Sequence, residues 1–247
     1  MVRVNNIFLS IILPAHNEAQ RLPQSLDKIQ KFVQQYLPDC EVLVVENAST
    51  DGTYEIAQAH QAAFPQLRCL HLDQAGKGNA IREGMLAARG DYRFMADVDL
   101  SMPIEEILNF LPPRLADPQV AIASREKKGS KRIGEPFYRH LIGRVFNFLV
   151  RLLVLPGVQD TQCGFKCFSA DAAEKIFRLQ TLEGWSFDVE LLTIAQTLGF
   201  RVKEVPITWH YKPGSQVRIL QDSWRMFREL LLIRRNKQKG VYRVKTL

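Results

Sequence analysis

Cysteine is scarce: four in 247 residues, and Cys163 and Cys167 form a C-x3-C pair with no second half. That spacing argues against a zinc module or a disulfide scaffold, and reduced, packing thiols are expected, as in a cytosolic compartment. Long apolar runs are also missing. None reaches the ~18 residues needed to cross a bilayer, and the early stretch Ile7–Pro14 is too short and is followed by no cleavage-site pattern. A soluble or peripheral protein is expected. There is no internal repeat or low-complexity stretch.

Two nucleotide-binding signatures are absent. No G-x-G-x-x-G occurs, so a dinucleotide oxidoreductase has no support. Gly76-Lys77-Gly78 is not a P-loop, because glycine follows the lysine, although a lysine opening a helix can still meet phosphate oxygens. With 46% hydrophobic and 24% charged residues the chain is an ordinary globular protein, and its net charge of +7 favours an anionic partner. Nucleotide, lipid phosphate, anionic membrane and nucleic acid all qualify by charge. Nucleic acid is not expected, since no recognition module or aromatic-interleaved basic motif appears.

What is present is alternation. Strands are predicted at Ile7–Leu13, Glu41–Val45, Leu67–Leu72 and Tyr92–Ala96. Between them lie a helix carrying Leu22, Leu26, Ile29, Val33 and Leu37 at helical spacing, then helices at Tyr54–Ala63 and Lys77–Ala88. A further helix is predicted from Pro103, and a late strand at Val202–Trp209. This order indicates an α/β fold with a mostly parallel, Rossmann-like sheet flanked by helices. Ligands bind such sheets at the carboxyl ends of the strands, which brings Pro14–Glu18, Glu46–Gly52 and Asp97–Asp99 to one rim. The charged stretch Glu126–Arg132 is expected to be the mobile element before the second half.

Asp97-x-Asp99 ends an apolar strand. Two carboxylates so close repel unless a cation separates them, and a hard divalent ion would take them together with substrate phosphates. A solvated acidic turn is the plainer reading; the strand-end position favours metal. Glu46-Asn47 offers acceptors and an amide to a nucleobase and ribose, or else the pair caps the following helix, a task open to Ser49, Thr50 and Asp51 as well.

Seven segments in order, ILPAHNE, VVENASTDGT, GKGNAIREGM, ADVDLS, DTQCGFKCF, FDVELL and EVPITWHYKPGSQV, resemble family-2 glycosyltransferases of the GT-A fold, and most of all the polyprenyl-phosphate branch, from about Phe8 to Arg235. The resemblance implies an inverting enzyme moving a hexose from a nucleotide-sugar onto a dolichyl- or undecaprenyl-type phosphate, with Mg²⁺ or Mn²⁺. It favours glucose from UDP-glucose. Pro14, His16, Glu18, Val45 and Asn47 would contact the nucleoside, Asp97 and Asp99 would hold metal and diphosphate, and Arg125 would lie near the donor phosphates. His16 stands where the family usually has Tyr, and Glu46-Asn47 where it has Asp-Asp, which leaves UDP or GDP open. The DTQCGFK run marks the polyprenyl-phosphate branch, with Lys166 or Gln162 able to meet acceptor phosphate; the alternative is a structural strand with Asp160 alone exposed. Gln221-Asp222-Ser223-Trp224-Arg225 is not the Q-x-x-R-W of polymerising relatives, so processive synthesis is not expected.

Asp188 and Glu190 are the candidate bases. An acceptor that is already a phosphate anion weakens that need, so Asp188 would position the acceptor or act as a weak base, with electrostatic stabilisation near Asp99 and Lys166 carrying the rest. In Arg139–Leu155, His140, Arg144, Asn147 and Arg151 form a polar stripe on an apolar helix, and Trp224–Arg235 repeats the basic, apolar character. Both suit a headgroup layer, or a core or dimer interface. The expected layout is a single GT-A domain over 1–240, divided into a nucleotide-sugar half (1–125) and an acceptor- and membrane-facing half (126–240), with a tail at 241–247. Its expected place is the cytoplasmic face of a membrane. A soluble saccharide acceptor and a non-catalytic nucleotide-sugar-binding protein are the competing readings.

Overall fold

A computed structural model describes residues 7–212 and 219–243, and side chains of the last helix from Trp224 onward. Part of the EVPITWHYKPGSQV segment, residues 213–217, therefore lies outside the described residues. Seven strands make one sheet. In chain order they are β1 (Leu9–Ala15), β2 (Cys40–Asn47), β3 (Leu67–Leu72), β4 (Tyr92–Met95), β5 (Val120–Ser124), β7 (Lys166–Ser169) and β8 (Val202–Pro206). Their spatial order is β3-β2-β1-β4-β7-β5-β8, and only β7 runs antiparallel to its neighbours. A separate parallel pair joins β6 (Lys131–Ile133) to β9 (Thr208–His210). The late strand expected at Val202–Trp209 is thus two strands, divided at Ile207, serving different sheets.

Alternation along β1 explains the layering. Leu9, Ile11 and Leu13 face one side, with α1 (Leu22–Tyr36), α2 (Thr53–Gln61) and a 3₁₀ helix at Ile104–Phe110; Ile12 faces the other, with α3 (Lys77–Ala87), α4 (Phe137–Leu153), α5 (Ala170–Leu179), α6 (Phe187–Thr197) and α7 (Ile219–Gln238). The segment after Pro103 is 3₁₀ rather than α. Pro14 does not end β1, because pairing with β4 stops at Ile12 and its missing N–H breaks no ladder there. β2 is buried throughout and β1 everywhere but at Pro14, as expected of a parallel sheet covered on both faces.

Strands from residues 166–206 lie beside β4 and β5, so the two halves of the chain share one sheet. The stretch expected to be mobile is tied down: Ser130 Oγ donates to the Ser124 carbonyl at 2.6 Å, and Arg132 is held by Glu126 and Glu135, each at 2.5 Å. Residues 240–243 are no loose tail. Gly240, at φ 71°, turns the chain back after α7, and Tyr242 is buried in the core. All four cysteines are free thiols. Among the described residues no helix is long and apolar enough to cross a membrane.

Candidate active site

The carboxyl ends of β1, β2 and β4 open into a cleft of about 720 Å³. Each of the three loops that form this rim carries one non-glycine residue in the left-handed region: Asn17 (φ 55°), Ala48 (φ 52°) and Leu100 (φ 47°). Such backbone persists only where its surroundings enforce it, and here side chains do so. Asn17 accepts from the Thr50 N–H (2.9 Å) while its own N–H donates to Ser49 Oγ (3.0 Å). Ala19 N–H donates to Asp51, and Glu18 N–H to Thr53 Oγ1. Ser49, Thr50 and Asp51 thereby stitch the first rim loop to the second.

Asn47 is the knot of this rim. Its amide donates to the Ala15 carbonyl, its side-chain oxygen accepts from the Gly76 N–H (both 3.0 Å), and its own carbonyl accepts from His16 Nδ1 at 2.6 Å. A carbonyl only accepts, so His16 carries its proton on Nδ1. The side chain of Asn47 is 2% exposed and is spent on positioning three segments. Glu46 is likewise consumed: it accepts from Ser49 N–H and His71 Nδ1, both at 2.5 Å. Burial raises the Glu46 carboxyl, but these bonds hold it below its ordinary value. Glu46 does not line the cleft, which corrects its expected place at the base edge.

The floor is acidic. Lys77, opening α3, places Nζ 2.6 Å from Asp97 Oδ1, and Asp99 Oδ1 accepts from the Ser101 N–H at 2.8 Å. Glu18 is bound through both oxygens to Arg21, at 2.7 and 3.0 Å. Its pKa is raised by burial, against the pull of Arg21, with the nearby Asp99 and Asp97 charges adding to the rise. Burial depresses the Lys77 ammonium, but Asp97 and Asp188 outweigh it and hold the ammonium above its usual value. Among the described residues there is no cluster of three or more His, Cys, Asp or Glu able to hold a metal ion alone.

Pro14, His16, Glu18, Asn47, Lys77, Asp97, Asp99, Arg125 and Asp188 all line this cleft. Besides Glu46, Val45 and Lys166 do not. Val45 is wholly buried and packs on α3, where Gly84 approaches so closely that a Cβ would lie 2.8 Å from its Cγ2. Lys166 is wholly buried, with its ammonium spent on the Cys163 carbonyl (2.6 Å) and on Asp188. A lysine so engaged cannot meet acceptor phosphate; Gln162 does line the cleft. Asp160 is fully buried and bidentate with Arg125 (2.7 and 2.9 Å). Glu190 does not reach the cleft either.

The outer wall joins Arg125 to residues that motif reading gave no role, among them Arg139, Tyr211 and Trp185. Arg139, from the first turn of α4, stacks 5.4 Å over Tyr211, and its Nε is buried without a hydrogen-bond partner. Arg125 stacks 5.4 Å over Trp209. Gly143 leaves the α4 wall open, and Trp185 faces Lys77 at 5.9 Å. The basic, apolar character of α4 was the available signal for Arg139; its aim was not legible. Asn147 also departs from expectation: it is buried, accepting from Thr161, rather than part of an exposed stripe.

A nucleotide-diphospho-sugar transferase sheet with an acidic strand-end floor is the architecture of GT-A glycosyltransferases. The chain matches Glycosyl transferase family 2 over residues 10–177, and it belongs to that family and is a glycosyltransferase. It is 35% identical to dolichyl-phosphate beta-glucosyltransferase of Drosophila melanogaster, over 97% of this chain and 78% of that protein. With the enzyme of the same name from Dictyostelium discoideum it shares 31% identity, over 98% of this chain and 79% of that protein. Its fold resembles that of glucosyl-3-phosphoglycerate synthase from Mycobacterium tuberculosis, solved with Mn²⁺, UDP and phosphoglyceric acid. That TM-score is 0.64 at 19% identity, covering 97% of this chain and 80% of that one.

Proposed function

We propose that this glycosyltransferase moves glucose, with inversion, from UDP-glucose onto a polyprenyl phosphate such as dolichyl phosphate. The observation that carries the reading is the composition of one cleft: an acidic floor at Asp97 and Asp99, and a basic, aromatic outer wall at Arg125 and Arg139. Two anionic ligands meeting head to head need this arrangement. The names of the two relatives supply the sugar and the lipid.

The donor diphosphate lies over the floor in this reading, with the nucleoside toward Pro14, His16 and Glu18. The oxygen donors Asp97 and Asp99 suit a hard divalent ion, Mg²⁺ or Mn²⁺, that shares its shell with substrate phosphates rather than sitting in a protein cage. Such an ion would neutralise charge growing on the leaving diphosphate. Lys77 adds a fixed cation there. An acceptor phosphate oxygen attacks the sugar carbon from the face opposite the diphosphate, whose bond to that carbon breaks. The acceptor is already anionic, so no strong base is needed. Burial raises the Asp188 carboxyl against the pull of Lys166 and Lys77, and its role is to hold those lysines in place or to act as a weak base. Arg139, with a buried unpaired Nε, binds the acceptor phosphate.

The lipid requires a membrane. On α4, Phe137, Leu141, Val145, Phe148 and Leu152 are exposed at helical spacing, beside exposed Arg144 and Arg151. On α7, Trp224, Leu231 and Leu232 are exposed with Arg228, Arg234 and Arg235. Ile142 and Met226 carry these helices to the cleft mouth. This composition suits an anionic headgroup layer at the cytoplasmic face.

The test is a panel of nucleotide-sugars with Mn²⁺ or Mg²⁺ and a short polyprenyl phosphate. Glucolipid from UDP-glucose, abolished by EDTA, is expected. Transfer to free saccharides but not to the lipid phosphate would overturn the acceptor assignment, and EDTA-resistant turnover would overturn the metal.

A further inference from the structure

The first turn of α3, which carries Lys77, has no side-chain cap of its own. A helix start leaves backbone N–H groups without partners, and here another part of the chain supplies one. The Gly78 N–H donates to the Glu183 carbonyl at 2.9 Å, and Gln180 Nε2 donates to the Gly78 carbonyl at 2.9 Å. Both backbone groups of Gly78 are thus taken by the segment 180–185. The approach is close enough that a Cβ at Gly78 would lie 2.9 Å from Glu183 backbone atoms. The same segment sets Trp185 against Lys77.

This strap has no regular structure of its own between α5 and α6. What fixes it is Glu190, wholly buried one turn into α6. Its carboxylate accepts from Thr181 N–H (3.0 Å), Thr181 Oγ1 (2.5 Å) and Leu182 N–H (2.7 Å). A fourth donor comes from the far end of the described chain: Tyr242 Oη donates to Glu190 Oε1 at 2.8 Å. Tyr242 reaches this place because Gly240 reverses the chain after α7, where Val241 N–H returns to the Asn236 carbonyl. Neither Glu190 nor Tyr242 lines the cleft.

We infer that Glu190 and Tyr242 are positioning residues for the donor site. From behind the cleft they fix the 181–185 strap, whose Glu183 carbonyl holds the start of α3 and so sets Lys77 opposite Asp97. A carboxylate with four donors has little freedom to move, and the restraint passes through the backbone of residues 180–183 to the two hydrogen bonds at Gly78. The inference rests on the reading that Lys77 faces the donor diphosphate. It gives Glu190 a use other than that of a base, and the C-terminal turn a part in nucleotide binding.

The experiment compares the full-length wild type with Tyr242→Phe, which deletes one hydroxyl, and with the harsher Glu190→Gln. UDP affinity with Mn²⁺ is measured by calorimetry, hydrogen exchange is followed at the Gly78 amide, and KM is determined for donor and acceptor separately. Tyr242→Phe should speed Gly78 exchange and weaken UDP binding by about five- to tenfold, the scale of one lost hydrogen bond, with acceptor KM unchanged. Glu190→Gln should do the same more strongly. Phe32→Leu, in α1 on the opposite face of the sheet, is the control for lost stability and should leave UDP binding as it was. Faster Gly78 exchange with UDP affinity unchanged within about twofold would overturn the inference while leaving the donor site standing. Equal losses in donor and acceptor binding, or an equal loss in Phe32→Leu, would reduce the network to general stability. A wild type that binds no UDP would remove the donor reading itself.

Discussion

The carboxylate of Asp97 lies directly against the backbone of Gly164: a Cβ at Gly164 would sit 2.2 Å from Asp97 Oδ2. The glycine of the DTQCGFK run is therefore a space requirement of the acidic floor. Gly164→Ala should push Asp97 aside and cost about 100-fold or more in kcat/KM, the scale of a misplacement near 1 Å. Because Asp97 itself is part-exposed, folding should be nearly unaffected. Mn²⁺ titration by electron spin resonance in the presence of UDP should report weaker binding in the same variant. Wild-type turnover in Gly164→Ala would show that the floor does not depend on this contact.

Much of this arrangement is legible in the sequence. Strand-helix alternation located the sheet, and the rule that ligands gather at carboxyl strand ends brought His16, Asn47 and Asp97 to one rim. What was not legible was which polar groups would be used up in building it. Glu46 and Asn47 look alike in the sequence as strand-end polar residues, yet one turns to His71 and the other ties three loops together. Lys166 reads as a cation able to meet acceptor phosphate, but β7 inserts antiparallel into the middle of the sheet and buries it. Non-local pairing of this kind has no local signal. Arg139 failed for the opposite reason: helical periodicity gives its face only approximately, and the partner ring, Tyr211, is far away in sequence.

The Arg125–Asp160 pair predicts an acid limb to stability. Burial raises the Asp160 carboxyl, but Arg125 more than reverses this and holds it at about 2, against an ordinary 3.8. A depressed carboxylate contributes stability that is fully present above the unfolded-state value and is lost as pH falls through the folded one. The contribution, about 2 kcal/mol, should therefore be complete above pH ~4 and gone near pH ~2. Asp160→Asn, which leaves Arg125 without its charge partner, should lose about 3 kcal/mol at neutral pH. Urea unfolding at several pH values checks both statements. The gap between wild type and variant should narrow from pH ~4 downward, and a gap independent of pH would contradict the assignment.

Arg139 should govern the acceptor and not the donor. On the proposed assignment Arg139→Ala would remove a charge-assisted contact to phosphate, and the KM for polyprenyl phosphate should rise by about tenfold to a hundredfold. Arg139→Lys should recover part of this, since the charge returns without the planar fork that stacks on Tyr211. UDP affinity should stay at its wild-type value in both variants. A parallel loss of UDP binding would move Arg139 to the donor side of the cleft.

The exposed face of α4 makes the last prediction, and its logic separates binding from folding. Phe148 is 57% exposed and Leu152 is 68% exposed, so replacing them removes little from the core. If the face enters a headgroup layer, each apolar side chain contributes about 2 kcal/mol by leaving water. Phe148→Glu and Leu152→Glu together should then abolish flotation with liposomes containing anionic lipid. Arg144→Gln and Arg151→Gln should instead weaken binding in proportion to the anionic fraction, and most at low salt, because their attraction is screened. In all of these variants UDP binding in solution should be unchanged. Turnover of a short, detergent-dispersed polyprenyl phosphate should also persist, while turnover of vesicle-borne acceptor falls. Full flotation of the double glutamate variant would mean that this face meets something other than lipid.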